Sequence, residues 1–282
     1  MPDRLAVLLQ HLLPKQALTA LLGRLASAEG GAATTAVVRW FVRRYGVDLS
    51  EAAEPDPARY RTFNDFFTRA LRPGARPLAQ AAWICPVDGA ISQFGALDGE
   101  RLVQAKGYDY SATALLGGDA GLARRFDGGH YATLYLSPRD YHRIHMPAAG
   151  RLLSMTHVPG ALYSVNPTTA RALPGLFARN ERVVCVFDGA SGPFVLVLVG
   201  ATVVGSMATV WHGVVNPPRP GKPRRWDYDS ADAPRLAQGA EMGRFLLGST
   251  VVLLLPPGPL GFDPQWTPGR PVRMGEAMAD PR

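Results

Sequence analysis

Three short stretches of this 282-residue chain hold residue types that could do chemistry. The first, "GRFLLGSTVVLLLPPG" (243–258), reads as an apolar strand running into a proline turn, but Gly248-Ser249-Thr250 interrupts it where a core strand would carry Val or Ile. Glycine weakens a strand interior and marks a bend or a close backbone approach. A serine hydroxyl can attack the carbonyl carbon of the residue before it, here Gly248, and turn the peptide bond into an ester; glycine has no Cβ to block that approach. Elimination across Cα–Cβ of Ser249 then frees the glycine carboxylate and leaves a dehydroalanine, which tautomerises and hydrolyses to a pyruvoyl group with release of ammonia. Such a ketone can hold the electron pair left when an amino acid loses CO2. Pyridoxal phosphate, the usual group for that task, needs a lysine in a phosphate-binding pocket. Only Lys15, Lys106 and Lys222 are present, and no Gly-rich phosphate loop surrounds Lys106, the best placed of them.

The serine needs a base, and a histidine oriented by an aspartate is the general solution. "CPVDGA" (85–90) sets Asp88 before a glycine, by default a turn former. "SPRDYHRIHMP" (137–147) starts like a helix, with Ser137 as N-cap, Pro138 in the first position and Asp140 in the third, and Pro147 closes it. A helical turn here would place His142 and His145 on one side. Zinc would need three or four ligands, and no further His or Cys cluster lies nearby, so no metal is expected. Two histidines satisfied in a polar turn is the plain structural alternative. A serine hydrolase that keeps its nucleophile is another, although no G-x-S-x-G elbow is present.

The elements that must position these residues fall into two parts. Leu5, Leu8, Leu9, Leu12 and Leu13 follow an amphipathic stripe that Pro14 breaks; Leu18, Leu21, Leu22 and Leu25 repeat it, and Val37, Trp40, Phe41 and Tyr45 form a third beside Arg39, Arg43 and Arg44. Such helices suit the plane of an anionic membrane surface, and equally suit packing on the protein's own core. "TFNDFFTRAL" (62–71) predicts a short helix with Thr62 as N-cap answered by Asp65. From Ile84 onward, short β-rich runs between Gly, Pro, Asn and Asp predict an α+β chain whose core is mainly antiparallel, a barrel or sandwich. The expected division is a helical membrane-docking region, 1–60, and a β-rich catalytic domain, 61–282.

Composition narrows the function classes. Hydrophobic residues make up 47%, enough for a real core, and 30 Lys+Arg against 23 Asp+Glu leave a net charge of +7 that suits an anionic partner without naming one. Cys85 and Cys185 cannot form a disulfide framework, which fits a reducing compartment. The first residues carry no secretory pattern. The 194–211 run, "FVLVLVGATVVGSMATVW", has no charge but is rich in Val and Thr and broken by Gly200 and Gly205, so it predicts two buried strands rather than a membrane span. Asn216 to Gln238, with five prolines and many charges, predicts an exposed loop placed to cover the Gly-Ser bond.

In order along the chain, "YRTFNDFF", "PVDGAISQFG", "AKGYDYS", "LSPRDYHRIHMP", "GALYSVNP", "LFARNERV", "VGATVVGSM" and "GAEMGRFLLGST" resemble the bacterial phosphatidylserine decarboxylases. The resemblance implies a proenzyme that cuts itself between Gly248 and Ser249 into a β chain, 1–248, and an α chain, 249–282. It implies that Asp88, His145 and Ser249 form the self-cleavage triad. It implies that Ser249 becomes the covalent pyruvoyl cofactor, which takes the serine headgroup's amine as a Schiff base, and that His142 is the proton donor in decarboxylation. It also implies a phosphatidylserine substrate, a dimer of αβ units, no nucleic acid, and a peripheral location on the cytoplasmic face of the inner membrane. Arg72, Arg76, Arg139 and Arg143 are candidates for the lipid phosphate by proximity to the motifs.

Overall fold

The computed structural model describes residues 15–105, 107–202, 206–217, 219, 221–246 and 250–282. The first leucine stripe, Lys106, Gly248 and Ser249 lie outside the described residues. Helix α1 (Lys15–Ala26) and helix α2 (Ala32–Tyr45) carry the second and third stripes, and α2 ends on Gly46, whose φ of 65° is the left-handed conformation that closes helices. The capping box forms as expected: Thr62 accepts from the Asp65 N–H, Asp65 accepts from the Thr62 N–H, and helix α3 (Phe63–Phe67) follows. It is shorter than the 62–71 run because the chain turns at Thr68 to enter the core.

The inner face of α2 packs on α3. Val38, Phe66 and Phe67 are buried together, with the Phe41 ring edge-on to Phe63, Phe66 and Phe67. The outer face is apolar too: Leu21, Leu25, Val37 and Trp40 are each about half exposed or more. The helical region therefore packs one face in the core and leaves another bare.

The main sheet runs, edge to edge, through β12 (Arg224–Asp227), β7 (Gly150–Val158), β8 (Arg182–Gly189), β9 (Gly192–Val199), β15 (Thr250–Leu255), β5 (His130–Tyr135), β2 (Gly89–Ala96) and β17 (Pro271–Val272), and β13 (Arg235–Leu236) also pairs with β7. Every pairing in it is antiparallel. The path is open, so of the two expected forms the sandwich-like one is found and the closed barrel is not.

The central strands read as unbroken apolar runs because both faces are covered. Val183, Cys185, Leu196, Leu198, Val251 and Leu253 face one core, while Val184, Val186, Val195, Val197, Val252 and Leu254 face the other. The first core is closed by a four-stranded sheet, β11 (Gly213–Asn216), β10 (Met207–Thr209), β14 (Glu241–Phe245) and β6 (Arg143–His145), and by a three-stranded one, β1 (Trp83–Ile84), β18 (Ala277–Pro281) and β16 (Leu260–Phe262). The second lies under short helices α4 (Ala112–Leu115), α5 (Ala120–Arg124), α6 (Pro167–Ala172) and α7 (Leu176–Arg179), with the hairpin of β3 (Arg101–Ala105) and β4 (Tyr108–Ser111).

Two expectations need correction. The 137–147 segment is a turn followed by β6, not a helix, because Asp140 caps backwards onto Ser137 and the chain then pairs with β14. The 216–238 segment is not wholly a loop. It supplies β12 and β13 to the far edge of the main sheet, and of its described residues Pro217 and Arg219 line the cavity beside Leu246.

Candidate active site

One row of the main sheet gathers the motifs. Pro271, Ala90, Tyr135, Thr250, Val199 and Arg182 are successive partners across β17, β2, β5, β15, β9 and β8. Thr250 therefore carries the residue after the Gly-Ser bond to the same sheet end as the Asp88 turn. On the other side of that bond, the Phe245 N–H donates to the His142 carbonyl and the Leu246 N–H to the Ser206 carbonyl. The described flanks of 247–249 are thus a central strand of one sheet and the His142 side of another.

Asp88 is positioned by glycine geometry and by arginine. A Cβ on Gly89 would overlap the Tyr135 carbonyl oxygen, so only glycine lets β2 approach β5 this closely. The Asp88 carboxylate accepts from Arg76 Nε at 2.9 Å and Nη2 at 2.5 Å, and from the Met274 N–H at 2.9 Å. Arg76 also bridges to Glu51 at 2.9 Å. Burial works against the Arg76 charge, but its bonds to Asp88 and Glu51 outweigh that and raise its pKa. Its hydrogen bonds hold Glu51 below the usual carboxylate range.

His145 is adjacent, but its ring does not meet Asp88. Its backbone N–H donates to the Pro86 carbonyl at 2.9 Å, two residues before Asp88. Its Nδ1 donates to the Gly239 carbonyl at 2.8 Å, which leaves Nε2 to accept from the Tyr141 hydroxyl at 3.0 Å. Burial lowers the His145 pKa against the opposing effect of the Gly239 bond, so the ring is kept neutral. Both nitrogens are therefore occupied, and Asp88 and His145 share a neighbourhood without a direct hydrogen bond.

His142 is fully buried against the Phe67 ring, centroids 4.0 Å apart. Its Nδ1 donates to the Asp140 carbonyl at 2.7 Å, which makes Nε2 the unprotonated nitrogen, and among the described residues Nε2 has no hydrogen-bond partner. Burial, helped by the nearby Arg69 charge, pushes its pKa down to about 3. In an extended chain residues three apart project to opposite sides. That separates the two histidines, whose Nδ1 atoms go to different carbonyls.

Behind the row lies a cleft of about 590 Å3 lined by Asp88, Tyr135, Asp140, Tyr141 and four arginines, Arg69, Arg76, Arg139 and Arg273. Asp140 is capped by the Ser137 N–H and hydroxyl at 2.7 and 2.8 Å, and burial raises its pKa despite those bonds. Of the arginines expected to meet a phosphate, Arg76 is consumed by two carboxylates, and Arg143 by Glu241 at 2.8 Å and the Thr68 carbonyl at 2.8 Å. Arg72 is exposed, and Arg139 is exposed at the mouth of the cleft. Two further residues, Arg69 and Tyr141, were not singled out by the sequence. Tyr141 stands between the motif's aspartate and first histidine, and Arg69 follows the short aromatic helix; both signals are local and were masked by louder neighbours.

The sequence profile of the phosphatidylserine decarboxylase family matches residues 63–280, and a second profile, PSD, matches residues 5–46. The phosphatidylserine decarboxylase proenzyme of Azoarcus sp. (strain BH72) is 69% identical over 280 residues, covering 99% of this chain and 97% of its own. The proenzymes of the same name from Chromobacterium violaceum and Delftia acidovorans are 70% and 69% identical, each covering 99% of this chain and 100% and 98% of their own.

Proposed function

The chain belongs to the phosphatidylserine decarboxylase family and is a decarboxylase proenzyme of phospholipid biosynthesis; from that premise we propose how its own residues prepare and run the reaction. Ser249 attacks the Gly248 carbonyl, elimination cuts the chain into 1–248 and 249–282, and the new N-terminus carries the pyruvoyl group. The residues present fit that group. Ser249 precedes Thr250 at the end of a fully buried strand, and among the described residues Thr250 Oγ1 and His142 Nε2, on the two flanks of the Gly-Ser bond, are buried without a partner. When in place, the group supplies the electron sink for loss of CO2.

His142 manages the proton. Once the anionic headgroup stands beside it and offsets the burial and the Arg69 charge that keep the empty site's ring neutral, its bare Nε2, held in that tautomer by the Asp140 carbonyl, accepts a proton from the substrate's ammonium as the amine becomes nucleophilic. After CO2 has left, the same nitrogen returns a proton to the α-carbon. The donor role expected from the resemblance is thus the second half of a two-way task, since a neutral imidazole must first be loaded. For self-cleavage, His145 activates Ser249 once Tyr141 yields its Nε2, and Asp88 acts through the field and shape of the turn it anchors with Arg76.

The substrate's acyl chains stay in the bilayer, so the enzyme works at its surface. The bare face of α1 and α2, with Leu21, Leu25, Val37 and Trp40 beside Arg24, Arg39, Arg43 and Arg44, docks peripherally on the anionic cytoplasmic face of the inner membrane. Each basic residue near such a leaflet contributes about 1 kcal/mol. Among the described residues no helix is long and apolar enough to cross a membrane. A cavity of about 430 Å3 lies between α1, at Thr19, Ala20, Gly23 and Arg24, and Leu246, on the flank of the Gly-Ser bond. The division into a docking region, 1–60, and a catalytic domain, 61–282, follows from this use, and αβ units pair as dimers.

The single observation that carries the reading is that one flank of the Gly-Ser bond, Thr250, stands opposite Tyr135 in the same row as the Asp88 turn, while the other flank, Phe245, is bonded to the His142 carbonyl. Intact mass of the purified protein tests it. Two chains are expected, the smaller blocked to Edman degradation and reactive with borohydride, and Ser249→Ala should give one uncut, inactive chain. A single unmodified chain of 30.3 kDa that decarboxylates phosphatidylserine would overturn the proposal.

A further inference from the structure

Two buried arginines in this fold are treated very differently. Arg182, 3% exposed, spends its guanidinium on the carbonyls of Leu115, Asn180 and Ala114 at 2.6 to 2.8 Å, and its role is structural. Arg69, 5% exposed, has one hydrogen bond, from Nη2 to the Arg139 carbonyl at 3.1 Å. Among the described residues its Nε and Nη1 are buried without a partner, and no carboxylate lies within ion-pair distance. Burial lowers its pKa against the opposing effects of Tyr60, Asp88, Asp140 and Tyr141. A buried cation with unsatisfied donors is costly unless something pairs it.

The surroundings indicate what that something is. Arg69 lines the 590 Å3 cleft together with Tyr135, the partner of Thr250, and its charge is felt by His142. The other cations of the cleft are engaged: Arg76 by Asp88 and Glu51, Arg273 by Glu51 at 2.8 Å, while Arg139 points outward near Asp140. Phe66 lies under the Arg69 guanidinium, 5.5 Å from its ring centroid, and the neighbouring Phe67 packs on His142, so one short helix sets both groups. A cleft of this size accommodates a small polar headgroup.

We infer that Arg69 is the substrate-positioning cation that holds the phosphodiester of the lipid headgroup, next to the nitrogen that handles the proton. The headgroup carries two anions, and the chemistry chooses between them. A cation on the carboxylate would stabilise a charge that vanishes as CO2 forms, raising the barrier, whereas the phosphodiester keeps its charge throughout. Arginine's planar fork suits phosphate oxygens, and each of the two guanidinium edges of Arg69, Nε–Nη2 and Nη1–Nη2, has one N–H without a partner among the described residues.

This inference rests on the decarboxylase reading but is tested by binding as well as by turnover. Arg69→Met and Arg69→Lys are compared with the wild type for chain cleavage, for kcat and KM on phosphatidylserine in detergent micelles, and for calorimetric binding of three probes. Glycerophosphoglycerol carries a phosphodiester with neither amine nor carboxylate, O-methyl-L-serine carries amine and carboxylate without phosphate, and inorganic phosphate is the free anion. Arg69→Met should be cleaved, with KM raised about 10- to 100-fold, kcat changed less, and glycerophosphoglycerol binding lost in parallel; Arg69→Lys should recover part of both. Binding of O-methyl-L-serine should not change. Loss of O-methyl-L-serine binding with glycerophosphoglycerol unaffected would give Arg69 to the carboxylate and overturn the assignment. So would a fall in kcat at constant KM, or inorganic phosphate binding as tightly as the diester. Failure of both variants to cleave would make Arg69 a folding or maturation residue instead. A wild type that binds glycerophosphoglycerol through Arg69 yet does not decarboxylate phosphatidylserine would sink the reaction and leave the site standing.

Discussion

The strands at the centre of the main sheet and the two N-terminal helices are both rich in apolar residues, yet they dispose of them in opposite ways. Every residue of β15 is buried, and its side chains alternate between two cores. In α1 and α2, Leu21 is 56% exposed, Leu25 61% and Trp40 54%. Apolar surface left in water is unexplained by the fold's own needs when it clusters beside basic residues, and it marks an interaction face. On the proposed function, the comparison separates a region that makes the chemistry from one that brings it to its substrate.

That separation can be broken at either end. His145→Ala should leave the chain uncut and inactive, whereas His142→Ala should be cut normally but decarboxylate about 10²- to 10⁴-fold more slowly; gels and CO2 release distinguish the two, and the reverse pattern would exchange their roles. Gly89→Ala forces a Cβ into the Tyr135 carbonyl, so β2 and β5 must part. A loss of about 1–3 kcal/mol is expected, read by thermal unfolding, with slower cleavage because the Asp88 turn moves.

A gentler perturbation is acid. His142 has its pKa pushed down to about 3 when folded, against 6.5 ordinarily. As pH falls below 6.5 the unfolded chain takes up a proton that the folded ring refuses, so stability is lost at about 1.4 kcal/mol per pH unit until about pH 3. His145 shifts in the same direction. Unfolding midpoints measured between pH 7 and 5 should show this slope, and His142→Gln should flatten it. The smallest effect belongs to the helices: Leu21→Asp or Trp40→Asp should leave turnover in detergent micelles within twofold, while binding to anionic vesicles falls about tenfold. Loss of micellar activity in these variants would merge the two regions into one.

Much of this was legible in residue order. Thr62 and Asp65 announced their capping box, and the apolar runs announced buried strands, because both depend on neighbours a few residues away. The 137–147 segment misled for the same reason: its Ser-Pro-x-Asp opening is a helix start by local rules, yet pairing of β6 with β14, nearly a hundred residues on, pulls the chain extended. The 216–238 segment likewise gained strands only by pairing with β7.

The site divides along the same line. Which residue types were available, Asp88, His142, His145 and the Gly248-Ser249 bond, belonged to the sequence, since chemistry is carried by functional groups and their motifs. Their states belonged to tertiary structure: the Asp140 carbonyl chose the His142 tautomer, Arg76 rather than histidine took Asp88, and burial left Arg69 with donors unpaired. Hydrogen bonds and desolvation act over a few ångströms in space, and only the folded chain brings residues seventy or two hundred positions apart to that distance.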